Sequence, residues 1–221
     1  MSNQFIPQYN AQKEGLLNLP QFKAYHRYQP DDDKPISFEY VISLISSVVK
    51  QENGIKATFE DGTAIFVGFD GSYIRYNRLG QKQSSRKAGT LTGMSFQNFH
   101  VNIYIYGKAI SLERFVAICR DIINDALLVN YSDLTANVMD GSGSLETADY
   151  LQIPYNLEFD NIEWCSKSKN AAHGQKIKKL YEITGHVYRF SAEDNELDRL
   201  MNCGDNQAIA DYCENNLPKV R

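Results

Sequence analysis

Acidic residues that can hold a metal ion are concentrated in the middle of the sequence. Between Asp121 and Glu163 there are nine Asp and Glu residues and no Lys or Arg. Carboxylate oxygens are the ligands that Mg²⁺ and Ca²⁺ prefer, so four of these acids are candidates for an unorthodox metal site: Asp133, Asp140, Glu158 and Asp160. Acidic runs are more commonly solvated faces, and an acidic face can also imitate the phosphates of DNA.

Histidine and cysteine do not occur in the spacing of a zinc site. The four histidines are scattered (His26, His100, His173 and His186), and the four cysteines include no CxxC pair. This pattern argues against a zinc knuckle and against a dense disulfide framework, which both need closely paired ligands. We expect His100 to lie in a strand. We expect His173 to have a surface or capping role, and a residual catalytic or phosphate-contacting role is the alternative.

Basic residues are sorted into two blocks, although the net charge of the chain is −4. From Gly71 to Arg120 eight basic residues occur against one acid, Glu113, and a second basic block runs from Ser166 to Phe190. Two basic faces separated by an acidic one are typical of proteins that contact phosphates, although exposed Lys and Arg are common in any case. The candidates for nucleic-acid binding are Arg75, Arg78, Lys82, Arg86, Lys87, Arg114, Lys167, Lys169 and Lys176.

Hydrophobic spacing and turn residues predict an α+β fold that contains a small antiparallel β-meander. Helical spacing predicts helices at residues 37–50, 111–127, 166–180, 191–201 and 206–213. Ser111 is predicted to open the second of these helices and Ser166 to cap the third, and Cys203-Gly204-Asp205 is predicted to join the last two. Strand-like runs separated by turns at 60–62 and 70–71 predict strands within 55–78, and further runs predict strands at 90–94 and 100–106 and a hairpin near Thr184 and Gly185. The remaining segments, residues 1–35, 81–89 and 140–144, are predicted to be a loosely attached arm, a flexible basic loop and an exposed loop.

The chain is long enough, at 221 residues with 43% hydrophobic residues, to bury a normal core. It has no apolar run long enough to cross a bilayer and does not begin like a signal peptide, so we expect a cytoplasmic protein with no membrane partner. We divide it into an arm and helix at 1–54, a β-rich module at 55–110, a module at 111–180, and a hairpin with a helical hairpin at 181–221.

Several motifs resemble those of HNH homing endonucleases of phage and intron type. The sequence Asn161-Ile-Glu-Trp-Cys-Ser166, followed by a Ser-rich stretch with Asn170 and His173, is similar to the end of the HNH module. Residues 100–117 are similar to the family's strand, turn and helix, with Glu113 where the family has histidine. Residues 73–81 resemble the small β module that precedes HNH. The resemblance covers about residues 70–175 and implies a ββα-metal fold for the module at 111–180, with peripheral helices at both ends of the chain.

The resemblance implies where catalytic groups would lie. The family binds one divalent metal, such as Mg²⁺ or Mn²⁺, and uses a histidine as general base. Val129-Asn130-Tyr131-Ser132-Asp133 matches its Val-Asn-His-x-Asp motif, so Tyr131 takes the place of the base, Asn130 and Asn161 the metal-ligand positions, and Asp133 the following acid. A tyrosine with an ordinary pKa near 10 is a poor base at neutral pH. Residues 139–153 form an apparent insertion.

Three functions follow from these residues. The first is a phage-derived, catalytically degenerate HNH-like protein that binds DNA or RNA, or a nucleoprotein complex, without efficient cleavage. The second is a counter-defence protein that inhibits a host nuclease or defence complex through its acidic segments. The third is an active metal-dependent endonuclease with a rearranged site, in which a carboxylate or His173 replaces Tyr131.

Overall fold

The chain folds into an α+β structure with antiparallel sheets, as the sequence predicts. The computed structural model describes residues 38–87, 101–106, 108–128, 131 and 133–220. The helices are α1 (Phe38–Leu44), α2 (Leu112–Ile123), α3 (Leu145–Leu151), α4 (Lys167–Thr184), α5 (Asn195–Cys203) and α6 (Asn206–Asn216). The strands are β1 (Ile45–Gln51), β2 (Gly54–Phe59), β3 (Ala64–Gly68), β4 (Tyr73–Tyr76), β5 (Lys82–Arg86), β6 (Asn102–Ile105), β7 (Lys108–Ser111), β8 (Leu134–Val138) and β9 (Ile162–Ser166).

Strands β1 to β5 form one sheet in sequential order, with antiparallel pairing throughout. The predicted turns at 60–62 and 70–71 join β2 to β3 and β3 to β4, so the predicted meander is confirmed. Gly71 has a φ of +77°, and a Cβ there would lie 2.6 Å from the ring of Tyr155. The turn between β3 and β4 therefore requires glycine for its backbone and for its packing.

Helix α2 covers one face of this sheet and is the center of the larger core. Ser111 precedes its first residue, as predicted, but the helix ends at Ile123 rather than near Leu127. Its apolar side packs with the inward residues of β2 and β3, such as Ile55, Ile65 and Val67. The short hairpin of β6 and β7 leads directly into it.

A strand–strand–helix unit follows α2 along the chain. Strands β8 and β9 pair antiparallel from Leu134 opposite Ser166 to Val138 opposite Ile162. Ser166 then caps α4 by accepting a hydrogen bond from the backbone N–H of Lys169, and Gly185 ends α4 in the left-handed conformation. The predicted cap and basic helix are confirmed, and the helix continues to Thr184.

Helices α5 and α6 pack with α4 around a second hydrophobic cluster. The cluster includes Leu180, Leu197, Leu200 and Ile209. The two helices are joined through Gly204 and Asp205, as the sequence predicts for the C-terminal helical hairpin.

Four local predictions are wrong. The helix predicted over residues 37–50 ends at Leu44, and the chain continues as β1. The loop predicted at 81–89 contains strand β5. Residues 140–144 form a loop as predicted, but it is not exposed, since Asp140 and Ser142 are buried. The expected hairpin near Gly185 is a helix end, followed only by an isolated bridge between Tyr188 and Lys219. The predicted arm, the predicted strand at 90–94, His26, His100 and Asn130 lie outside the described residues.

A membrane-spanning helix would need a long apolar segment. None of the helices within residues 38–220 that the structure describes meets that requirement.

Candidate functional site

A buried carboxylate, Asp121 of α2, lies at the contact between α2 and β9. Its Oδ2 accepts hydrogen bonds from the hydroxyl of Tyr131 at 3.0 Å and from the indole N–H of Trp164 at 2.6 Å. Its Oδ1 accepts from the guanidinium of Arg120 at 2.9 Å. Trp164 also meets the ring of Tyr131 edge to face at 5.0 Å. Both oxygens are therefore engaged in bonds that join α2, β9 and the segment before β8.

Tyr131 is part of this network and is fully buried. Its hydroxyl oxygen also accepts a hydrogen bond from the backbone N–H of Leu128 at 3.1 Å. Burial, and then the charge of Asp121, raise the pKa of Tyr131 far above its ordinary value. The hydroxyl stays protonated at neutral pH, so this side chain is not a general base.

His173 lies on the inner side of α4 with 1% of its surface exposed, so the predicted surface role is wrong. Its Nε2 is 3.0 Å from the backbone oxygen of Phe190, and its ring packs on the Phe190 ring at 4.5 Å. Burial is the main cause that lowers the pKa of His173 to about 4, and the charge of Lys176 acts in the same direction. The imidazole is therefore neutral at pH 7.

The remaining positions of the HNH resemblance are not gathered into a metal-ligand set. Asp133 is exposed, just before β8. Asn161 is fully buried and donates from Nδ2 to the backbone oxygen of Asn156 at 2.9 Å, while its Oδ1 has no hydrogen-bond partner among the described residues. Within the described ranges no three His, Cys, Asp or Glu side chains cluster as metal ligands. Because His173 is also bonded to a backbone oxygen, these residues do not fit the metal site of the family.

The acids proposed from the sequence have structural partners or point to solvent. Asp140 is buried and accepts from the backbone N–H of Ser142 at 2.8 Å. Asp160 pairs with Arg189 at 2.7 Å, and Glu158 is exposed. Glu163, which the sequence did not single out, accepts from Asn137, Ser191 and Ala192.

A pocket of about 140 Å³ lies between α2, β8 and the first half of α4. Its polar lining includes Glu113, Asn137, Asn170 and His173. Glu113 is buried, and it interacts with the hydroxyl of Tyr155, whose pKa is raised chiefly by burial and next by the charge of Glu113. The pocket thus brings Glu113 and His173 near each other, although they are 60 residues apart in sequence.

Two of the three candidate lysines on α4 are engaged by an acid of α5. Lys176 is paired with Asp198, and Lys169 lies 3.5 Å from the same carboxylate and 3.7 Å from Glu193. Burial acts to raise the pKa of Asp198, but the two lysines outweigh it and lower the pKa. Lys167 is exposed at the start of the helix. Arg114 of α2 donates to the hydroxyl of Thr135 at 3.2 Å.

The five basic residues of the sheet that were proposed as nucleic-acid contacts differ in how far they are exposed. Arg86 is buried, donates to the backbone oxygen of Gly71 at 2.5 Å, and has a pKa lowered by that burial. Arg75 donates to the backbone oxygen of Tyr104. Arg78, Lys82 and Lys87 are exposed around the hairpin of β4 and β5. This hairpin carries the most accessible cluster of the proposed phosphate contacts.

Comparisons with family models, with curated proteins and with solved structures find no match for this chain.

Proposed function

We propose that this chain is a catalytically degenerate HNH-like protein that binds nucleic acid without efficient cleavage. The proposal rests on one observation above others. Tyr131, at the position where the resemblance would supply the base, is buried and hydrogen-bonded to another part of the fold, and so is His173, the histidine that could replace it. Neither can approach a phosphodiester without local unfolding.

The order of elements supports the HNH-like part of the proposal. Strands β8 and β9 followed directly by α4 have the ββα order of the HNH module. Asp133 precedes the first strand, Asn161 precedes the second, and His173 lies on the helix, as in the resemblance. The exposed cations Arg78, Lys82 and Lys167 support the binding part, because phosphate contact requires accessible positive charge.

The test is a gel on which labelled single-stranded and double-stranded DNA and RNA are incubated with the purified chain, with and without Mg²⁺ or Mn²⁺. We expect a shifted, uncut band that disappears at high salt. A metal-dependent product that is lost in Glu113→Gln, with the variant still folded, would contradict the proposal and favour a rearranged endonuclease that uses the pocket. Absence of any shift would contradict it as well, and would favour the protein inhibitor.

A further inference from the structure

The outer face of the five-stranded sheet carries aromatic and basic side chains in two rows. Strand pairing fixes the first row as Val49, Lys56, Phe66, Ile74 and Ser85. It fixes the second as Ser47, Thr58, Ala64, Tyr76 and Lys82. The residues between them, such as Ile55, Ala57 and Ile65, point to the opposite face and are buried. The two rows therefore share the face turned away from the core.

The apolar residues of these rows are not part of either hydrophobic cluster. Val49 is 52% exposed, and Phe66, Ile74 and Tyr76 are half-buried. None of the four belongs to the larger core or to the residues packed against it. A sheet face with such side chains accessible to solvent is available to a ligand.

The charge of this face has a single sign. The two rows contain Lys56 and Lys82 and no Asp or Glu. The ammonium group of Lys56 lies 5.2 Å from the center of the Tyr76 ring, so cation and ring form one patch. At the tip of the adjoining hairpin, the side chain of Arg78 is 72% exposed and lies 3.8 Å from the carboxylate of Asp61, and Leu79 is 81% exposed.

We infer that this face binds single-stranded nucleic acid, with bases stacked on Phe66 and Tyr76 and phosphates beside Lys56 and Lys82. This inference deepens the proposed function and rests on it. The rings of a sheet face can receive only bases that are not paired, since a duplex presents its backbone and groove edges instead. A positive face with aromatic rings combines the two contacts that single strands use, which are stacking and phosphate neutralisation.

The test measures fluorescence anisotropy of the full chain with labelled single-stranded DNA, single-stranded RNA and duplex DNA of the same sequence. Tyr76→Leu and Phe66→Leu remove a ring but keep an apolar side chain. Each is expected to weaken single-strand binding roughly tenfold, the typical loss of one stacked base. Lys56→Gln is expected to weaken it and to reduce the slope of log K against log salt by about one.

A matched pair of side chains elsewhere on the surface supplies the control. Lys178 lies 5.8 Å from the ring of Tyr150, which is 48% exposed on α3. Tyr150→Leu and Lys178→Gln remove the same chemical groups, and we expect them to leave single-strand affinity unchanged. Thermal unfolding of all variants checks that each is folded at the temperature of the titration.

The outcomes separate this inference from the proposed function. If the wild-type chain binds no nucleic acid, the proposed function fails and the inference fails with it. If it binds but Tyr76→Leu and Phe66→Leu match Tyr150→Leu, or if duplex binds more tightly than single strands, only the inference is overturned. A preference for the DNA or the RNA strand, with loss in both ring variants, supports it and identifies the natural ligand.

Discussion

At the scale of single residues, the buried Asp121 carboxylate holds Tyr131 inside the fold. Its two oxygens accept hydrogen bonds from the adjacent Arg120 and from Tyr131 and Trp164, which lie farther along the chain. A buried charge is tolerated when it is paired and hydrogen-bonded in this way. Trp164 packs against the core, and its N–H donates to the buried carboxylate of Asp121.

His173 makes the stability of the fold depend on pH. Its pKa is about 4 in the folded chain and near 6.5 when unfolded, so between these values the unfolded chain binds a proton that the folded chain does not. The stabilisation is complete above pH 6.5 and is lost as the pH falls toward 4. We expect the free energy of unfolding to fall by about 2 to 3 kcal/mol across this window from this residue.

Denaturant unfolding at several pH values measures this dependence. The His173→Gln variant should show a shallower decrease between pH 7 and pH 5 than the wild type. His186→Gln, at an exposed site just after α4, is the control and should keep the wild-type slope. If the free energy of unfolding of the wild type and of His173→Gln fell equally with pH, burial would not be lowering the pKa of His173. That result would favour a catalytic role for the ring.

At the scale of elements, Asp198 of α5 ties the C-terminal helices to α4. It is the carboxylate partner of both Lys176 and Lys169, and the side chain of Lys176 is only 12% exposed. We expect Asp198→Ala to lower the free energy of unfolding by about 1 to 3 kcal/mol, because an ammonium group is left largely buried without that partner. Chemical denaturation measures the change.

The control lies on the same helix. Glu196 pairs with Arg199 at the surface, so Glu196→Ala removes the same charge without leaving a buried cation. We expect no measurable loss of stability in that variant. If the two variants lost equal stability, the ion pairs of Asp198 would be no more important than a surface pair.

Helix and strand assignments were predictable from the sequence where a local signal decided them. The Ser166 cap of α4, the turns of the meander and Gly204 after α5 are local, and these predictions are confirmed. Ser111 precedes α2 as predicted, but its side chain makes no capping hydrogen bond. The helix predicted over residues 37–50 was wrong in its second half. Val41, Ile42, Ile45 and Val48 fit a helical period, but pairing with β2 makes the chain a strand from Ile45 onward. Strand β5 was predicted to be a loop because its sequence is polar. Its pairing with β4, which the local sequence does not show, makes it a strand.

At the scale of the whole molecule, charges that the sequence places in separate blocks meet in the folded chain. The basic block of α4 is partly neutralised by the acidic block of α5, and Arg189 pairs with Asp160. Exposed cations remain in both regions, with Arg78, Lys82 and Lys87 on or beside the hairpin of β4 and β5, and Lys167 and Lys179 on α4. Sequence blocks indicated that cations were present, but pairing across the fold decides which of them are available.

The candidate site was predictable only in part, because contacts between residues distant in sequence form only in the folded chain. The resemblance gave the order of Asn161 before β9, Trp164 on β9 and His173 on α4, but it gave no sign that Asp121 would bond Tyr131 or that Phe190 would bond His173. Those partners are 10 and 17 residues away in sequence, and folding brings them together. The same contacts hold Tyr131 and His173 inside the fold.

We propose that the chain binds nucleic acid and leaves it intact. The most direct measurement is to hold a labelled strand saturated with the purified chain in Mg²⁺, and to determine the bound fraction and the strand length in the same sample over time. We predict that the strand stays bound at low salt, dissociates as salt rises, and keeps its full length throughout. Shortening of the bound strand that requires the metal, or no binding at low salt, would contradict the claim.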